Sequence, residues 1–465
     1  MSGLARRALA LLVAASASAC LAGPNYKRPP TDPPEAFRGQ APEADETAPS
    51  LGDEHWWDVF QDDELQGLIR AALEHNFDVR IAAARILEAE AQYGITHADQ
   101  FPTVTAGATV LGQKPSVALG FPNRNIGAFV MQGSMSWELD FWGRYRRASE
   151  AARAQLLAAE WGRRAVVSTL VSQAANAYFG LRALDLELDI TQRTLETRRE
   201  SLRLTQVLER GGATSLVDVR QAEQLVYGAT SEIATLQREI EQQENLISVL
   251  LGDNPHAIDR GRSLAEQPHP PTVPAGLPSA LIDRRPDLQQ AEQQLVAANA
   301  QIGVAKSAYF PDIPLTASGG FESTALSSLF AGPNAIWSVA LSAVQPIFNA
   351  GRIKSQVALA EARREEATIE YQRTIRQAFR EVADALVGYR KLREFREQQT
   401  LLVEAARDGR RLADIRYQGG ATSYLEVLDA DTRLFAAELG FAQAQLGEMS
   451  ALVEIYRALG GGWQV

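Results

Sequence analysis

Few residues in this chain of 465 could do chemistry, and their spacing argues against catalysis. There is one thiol, Cys20, so no intrachain disulfide can form. It follows Arg6 and Arg7, an apolar run over residues 8–15 and the small residues Ser16 to Ala19, which is the order of a secretory signal. A lone cysteine just after such a signal is explained by lipid attachment, as in a bacterial lipobox, although Ala17 stands where leucine is usual. The five histidines, His55, His75, His97, His256 and His269, make no metal-binding spacing such as HExxH. No G-x-S-x-G and no phosphate-binding glycine loop occurs. No catalytic residue, metal ligand or cofactor is therefore expected. The net charge of −11 offers no basic surface for nucleic acid.

The pattern lies instead in a stretch that occurs twice. Residues 211–215 and 419–423 both read GGATS, 208 positions apart. Paired glycines can end a helix at positive φ, and the following Thr and Ser can cap the next one. Each stretch thus reads as the tip of a helical hairpin. Other pairs share the offset. Asp78, Ala91, Gln92, Gly94, Phe101 and Pro102 recur 209 residues later as Asp287, Ala300, Gln301, Gly303, Phe310 and Pro311. Gly143-Arg144 and Leu251-Gly252 recur 208 residues later as Gly351-Arg352 and Leu459-Gly460. The chain is an internal duplication, and its fold must use one series of elements twice. The boundaries read as a signal peptide over 1–19, a lipidated N-terminus and extended tether over 20–62, a first repeat over 63–251, a connector over 252–284 and a second repeat over 285–465. Trp56, Trp57 and Phe60 are expected to pack the tether onto the helices.

Prolines are absent from 123–254 and from 347 to the end. Proline inside a helix costs about 3 kcal/mol, so these two spans can hold long helices. They are expected over 145–210 and 352–418, returning over 216–251 and 424–459. Leu425, Leu428, Thr432, Phe435, Leu439, Ala442, Leu446, Met449, Val453 and Tyr456 follow the alternating spacing of three and four of a heptad seam. Shorter helices are expected over 63–99, capped by Asp62 or Asp63, and over 286–308. Between short and long helices the period changes to two. Val104, Ala106 and Ala108 alternate with Thr103, Thr105 and Thr109, and a second strand is read over 128–141. Ile313, Leu315 and Ala317 alternate with Thr316 and Ser318, and Trp337, Val339 and Leu341 with Ser338 and Ser342. Four strands with one apolar face are long enough to cross a bilayer but too few to close a barrel, so several chains must combine.

This order, with Cys20, Gly23-Pro24-Asn25-Tyr26-Lys27-Arg28-Pro29-Pro30, Arg284-Arg285-Pro286-Asp287-Leu288 and GATSYLEVLD over 420–429, resembles the outer-membrane efflux channels. These are the TolC-like outer-membrane factors, and the closer likeness is to their OprM-like, NodT-type lipoprotein branch. The resemblance implies a mainly α fold with membrane β-structure. Duplicated helical hairpins would form a trimeric α-barrel tunnel, joined to a transmembrane β-barrel of twelve strands, four from each of three chains. It implies a homotrimer in the outer membrane of a Gram-negative bacterium, lipid-anchored at Cys20 and extending into the periplasm. Its function would be the passive exit duct of a tripartite efflux system, working with a periplasmic adaptor protein and an inner-membrane pump of the resistance-nodulation-division type.

The resemblance also assigns sites. Gly211, Gly212, Ala213, Thr214 and Ser215, with Gly419, Gly420, Ala421, Thr422 and Ser423, would be the tips that dock the adaptor. Tyr417, Leu425, Glu426 and Asp429 would form the periplasmic gate, the acids making carboxylate rings around the pore axis. An arginine that some members place near these acids has no counterpart, since Thr422 and Thr432 occupy the matching positions and Arg433 lies one residue beyond. The residues alone leave Glu426 and Asp429 as a solvated helix face. A rival reading is a lipid-anchored trimeric coiled coil with a structural or adhesive role and no pore.

Overall fold

The computed structural model describes residues 21–39, 50–114, 118, 126–267 and 273–464. Cys20, the preceding signal, part of the tether and His269 lie outside the described residues. The elements, in chain order, are α1 (Trp56–Val59), α2 (Asp63–His75), α3 (Phe77–Ala98), β1 (Thr103–Gln113), β2 (Ile126–Glu138), α4 (Arg144–Arg210) and α5 (Leu216–Leu250). They continue with α6 (Pro278–Arg284), α7 (Pro286–Ser307), β3 (Pro314–Ser323), β4 (Ala335–Leu341), α8 (Arg352–Gln418) and α9 (Tyr424–Ala458). The two proline-free spans become 67-residue helices, each ~100 Å long at 1.5 Å per residue. Gly162 and Gly180 do not interrupt α4. Asp62 caps α2 by accepting from the backbone N–H of Glu64 at 3.1 Å and Leu65 at 3.4 Å. Two details differ from the sequence reading. The second strand runs from Ile126 to Glu138, and Leu139 continues its register by donating to the Ile313 carbonyl at 3.1 Å. The short helix α6 precedes Pro286, which blocks its continuation into α7.

The chain divides into two compact units, and each draws on both repeats. One comprises the chain up to Pro30, Arg85–Glu160 and Gln290–Gln372. It holds an antiparallel sheet of order β1-β2-β3-β4, in which β2 pairs with β3 across the repeats. The register aligns Thr105, Ser134, Ser318 and Ser338 in one row, and Val104, Met135, Ala317 and Val339 in the next. Hydroxyls bond along the first row, Thr105 to Ser134 at 2.7 Å and Ser318 to Ser338 at 2.8 Å. The apolar side is not covered by helices: Val104, Val110, Trp337, Val339 and Leu341 are exposed. A sheet packed on its own helices would bury them, so within this chain the apolar face is left uncovered.

The first part of the tether, up to Pro30, is fixed to this same unit. Arg28 forks onto Glu292 of α7 at 2.8 and 2.6 Å, and the Tyr26 hydroxyl donates to the same carboxylate at 3.0 Å. Gly23, at φ +84°, lies so close to Gly303 that a β-carbon would sit 2.5 Å from its Cα. No other residue type fits there.

The second unit comprises Thr31–Ala84, Trp161–Gln289 and Arg373–Val465. One apolar cluster joins Ala72 and Val79 to Val167, Leu170 and Leu181 of α4 and to Ile240 and Ile247 of α5. Each large member contributes ~1.5–3 kcal/mol by leaving water. Trp56 and Phe60 are buried, and Phe60 meets Tyr456 and Phe179 edge-on, so these aromatics do pack the tether region onto helices. The heptad seam of α9 holds at Ala442, Met449, Val453 and Tyr456, which are buried. Towards the tip it does not: Leu425 and Thr432 are exposed, and Tyr424, Val427 and Asp431 are buried instead. A straight helix drifts against a strict seven-residue repeat, so one stripe cannot face one neighbour throughout.

Candidate functional site

The two tips share one backbone solution. At the first, Gly212 has φ +73°, Ala213 N–H reaches the Leu208 carbonyl at 2.8 Å and Gly212 N–H reaches Glu209 at 2.9 Å. At the second, Gly420 has φ +70°, Ala421 reaches Arg416 at 2.8 Å and Gly420 reaches Tyr417 at 3.0 Å. This pair of bonds satisfies the last carbonyls of a long helix and reverses the chain, and it requires a residue tolerant of the left-handed region. A β-carbon on Gly212 or Gly420 would meet nothing within 4 Å, so both tips are open. The hydroxyl of Thr214 donates to Asp218, and that of Thr422 donates to Glu426 at the matching position.

Beyond the turn the hairpins differ. Of the predicted gate residues, Leu425, Glu426 and Asp429 are together on the exposed side of α9. Leu425 is 58 % exposed, and its counterpart in the first hairpin, Val217, is 62 % exposed. A buried cluster of Ala222, Ala413, Tyr424 and Val427 packs on the other side of the same helix turn. Tyr417 joins the cluster and lies 5.6 Å, ring to ring, from Tyr424. Burial, together with the negative charge of Asp218, raises the Tyr417 phenol above its ordinary pKa.

The two acids are not without arginines. Arg416 Nε lies 3.0 Å from Glu426, and Arg433 Nε lies 2.7 Å from Asp429 one helical turn away. The sequence reading placed no arginine against them because positions 422 and 432 hold threonines and Arg433 lies one residue beyond the match. The Asp429–Arg433 pair has the i,i+4 spacing that could have revealed it. Arg416 could not be found so, since its pairing depends on the turn. All four side chains are well exposed, and such pairs add at most ~1 kcal/mol.

A second charged group was missed altogether. Asp431 of α9 accepts from Arg198 of α4 at 2.8 Å and from Arg410 of α8 at 3.4 Å. Arg198 also donates to the Leu225 carbonyl of α5 at 3.3 Å and lies over the Phe435 ring at 4.8 Å. Arg410 pairs in addition with Asp414. The described histidines take no part in either group: His55 stacks on Trp57, and His75 bonds the Ala71 carbonyl. Among the described residues no three His, Cys, Asp or Glu side chains could hold a metal ion. No described helix is long and apolar enough to cross a membrane.

The family model described as outer membrane efflux protein matches residues 68–253 and 277–461, one match on each copy of the duplication. The chain belongs to that family. This efflux protein is 37 % identical over 426 residues to the toluene efflux pump outer membrane protein TtgC of Pseudomonas putida, covering 89 % of this chain and 86 % of the relative. It is 34 % identical over 456 residues to the cation efflux system protein CusC of Escherichia coli, covering 98 % of each chain. Its fold matches the open-state crystal structure of the MtrE outer membrane channel of Neisseria gonorrhoeae, with a TM-score of 0.87 at 31 % identity over 96 % of this chain and 99 % of that one. The efflux protein is thus an outer-membrane channel with the fold expected from its sequence, and the pore-free coiled-coil reading is not supported.

Proposed function

We propose that the efflux protein is the exit duct of a tripartite system. Three copies, each with four strands, close a barrel of twelve in the outer membrane and a helical tunnel in the periplasm. A periplasmic adaptor docks at the tips, 211–215 and 419–423, and delivers substrate from an inner-membrane pump of the resistance-nodulation-division type. The chain passes cargo without chemistry and is no enzyme. TtgC is named for toluene and CusC for cations at comparable identity, which favours cargo selection by the pump and adaptor.

The observation that carries this reading is the sheet. It has a hydroxyl row, an uncovered apolar row and two unpaired edges, β1 and β4. Open edges cannot be satisfied in lipid, so the sheet is a fraction of a closed wall. The mature chain starts at a lipid-bearing Cys20, with the tether over 20–62, repeats over 63–251 and 285–465, and the connector over 252–284 between them. The tunnel is narrowest at Leu425, Glu426 and Asp429, with Tyr417 behind them. The exposure of an apolar side chain beside two acids supports this, since a pore constriction needs both facing the axis. Purified protein in planar bilayers tests the proposal. Heat-resistant trimers that conduct ions, and restore efflux in cells only when adaptor and pump are present, are expected. Trimers that never conduct would sink it.

A further inference from the structure

We infer that Arg198, Arg410 and Asp431 are positioning residues that act as the fulcrum of the tips. They hold while the hairpins part, so that movement is confined to the segment on the tip side. This rests on reading Leu425, Glu426 and Asp429 as the gate. The three side chains are 6–9 % exposed. They bring together all four long helices of the chain: Arg198 from α4, the Leu225 carbonyl from α5, Arg410 from α8, and Asp431 with Phe435 from α9. With Asp414 on Arg410 the group holds two positive and two negative charges. Asp431 lies eight residues from Ser423, ~12 Å along α9, and the gate acids fall between them.

The ranking of contacts follows from burial. The Arg416–Glu426 and Arg433–Asp429 pairs have side chains 42–72 % exposed and can exchange each other for water at little cost. Separating Arg198 from Asp431 would leave charges unpaired out of water, which is far more costly. A force that spreads the tips therefore breaks the exposed pairs and opens the apolar cluster of Ala222, Ala413, Tyr424 and Val427 before it reaches the buried group. The group also keeps α9 from sliding, because its two arginines come from different hairpins.

Thiol cross-links on either side of the group test this in the full-length trimer. On the far side from the tips, Glu187 of α4 bonds Gln443 of α9. On the tip side, Tyr424 of α9 packs in one cluster with Leu202 of α4, a turn before the buried Thr205. Glu187→Cys with Gln443→Cys, joined by a short bis-maleimide, is expected to leave efflux and adaptor-dependent conductance unchanged. Thr205→Cys with Tyr424→Cys, joined likewise, is expected to abolish both, with activity normal before the linker is added. Loss of efflux in the first pair would show movement beyond the group and overturn the fulcrum alone. Unimpaired efflux in the second would show that the tips need not part, which overturns the gate reading beneath it. Asp431→Asn keeps the shape but not the charge, and should raise resting conductance several-fold more than Asp429→Asn. Conductance equal to the parent, with heat-resistant trimers intact, also overturns the proposal. If Asp431→Asn prevents trimer formation, the cross-linked pairs, which keep the native group, decide.

Discussion

The two tips have the same five residues and the same turn, yet the charges beyond them are arranged differently: Arg220 pairs with Glu223 at the first, and Arg416 with Glu426 and Arg433 with Asp429 at the second. At the first, Asp218 is spent on capping: it accepts from the Ser215 backbone at 3.2 Å and from Thr214. At the second, Glu426 in the same place also meets Arg416. The partners of the second tip have apolar or neutral counterparts in the first, 208 residues earlier. Leu208 stands for Arg416, Gln221 for Asp429, Leu225 for Arg433 and Leu202 for Arg410. Duplication kept the turn, which any helical hairpin needs, and let the flanking charges diverge. The turn is therefore a matter of backbone geometry, and the asymmetry between hairpins is where a gate can reside.

Substitution at the turn should have the largest effect and should not distinguish the tips. Gly212→Trp or Gly420→Trp costs ~1–2 kcal/mol from the left-handed backbone but meets no neighbouring atom. Trimers should survive while efflux is lost, measured as drug susceptibility, and normal efflux with both tips enlarged would remove them from adaptor docking. The next largest effect separates the hairpins. Leu425→Ala should widen the resting aperture and raise single-channel conductance without an adaptor, whereas Val217→Ala, its counterpart, should conduct as the parent. Equal behaviour of the two would place the constriction elsewhere.

Charge should follow the same division. Glu426→Ala with Asp429→Ala should lower cation preference in reversal-potential measurements. The difference should fade as added salt screens over ~8–10 Å. Asp218→Ala should leave selectivity alone and lower stability by ~1 kcal/mol through loss of the cap. The smallest effect concerns Glu187, where the first hairpin meets the second. Burial raises its pKa, with Glu239 and Glu232 adding to the shift and Gln443 opposing it. A carboxyl with a raised folded pKa stabilises the fold below its unfolded value and loses that contribution as pH rises through the folded one. Glu187→Gln should therefore raise the melting temperature at neutral pH, with the gain shrinking as pH falls to the ordinary carboxylate range. A gain independent of pH would show that its charge is not the cause.

Much of the fold was legible because its signals are local. Positive-φ glycines, proline-free spans and period-two strands are each set by a few neighbouring residues. Gly143 and Gly351, which recur 208 residues apart, both take positive φ at the start of a long helix. The apolar gate position could be placed only through the family resemblance. What stayed hidden depends on residues far apart in the chain. Asp431 reads as one more acid on a helix until Arg198, 233 residues away, is brought against it. The seam was misplaced near the tip for a related reason: a heptad reports that a helix has neighbours, not which stripe faces which neighbour.

The pairing of β2 with β3 bears on how such a chain could arise. Each repeat supplies one β-hairpin, and the two hairpins complete each other's edges within one sheet. Both compact units likewise take segments from both repeats. A single repeat would leave its strands and its half of every core uncovered, so it could not have worked alone. A half-length ancestor had to assemble from twice as many identical copies. Fusion then made neighbouring copies unequal, and that inequality let the charges around the two tips diverge.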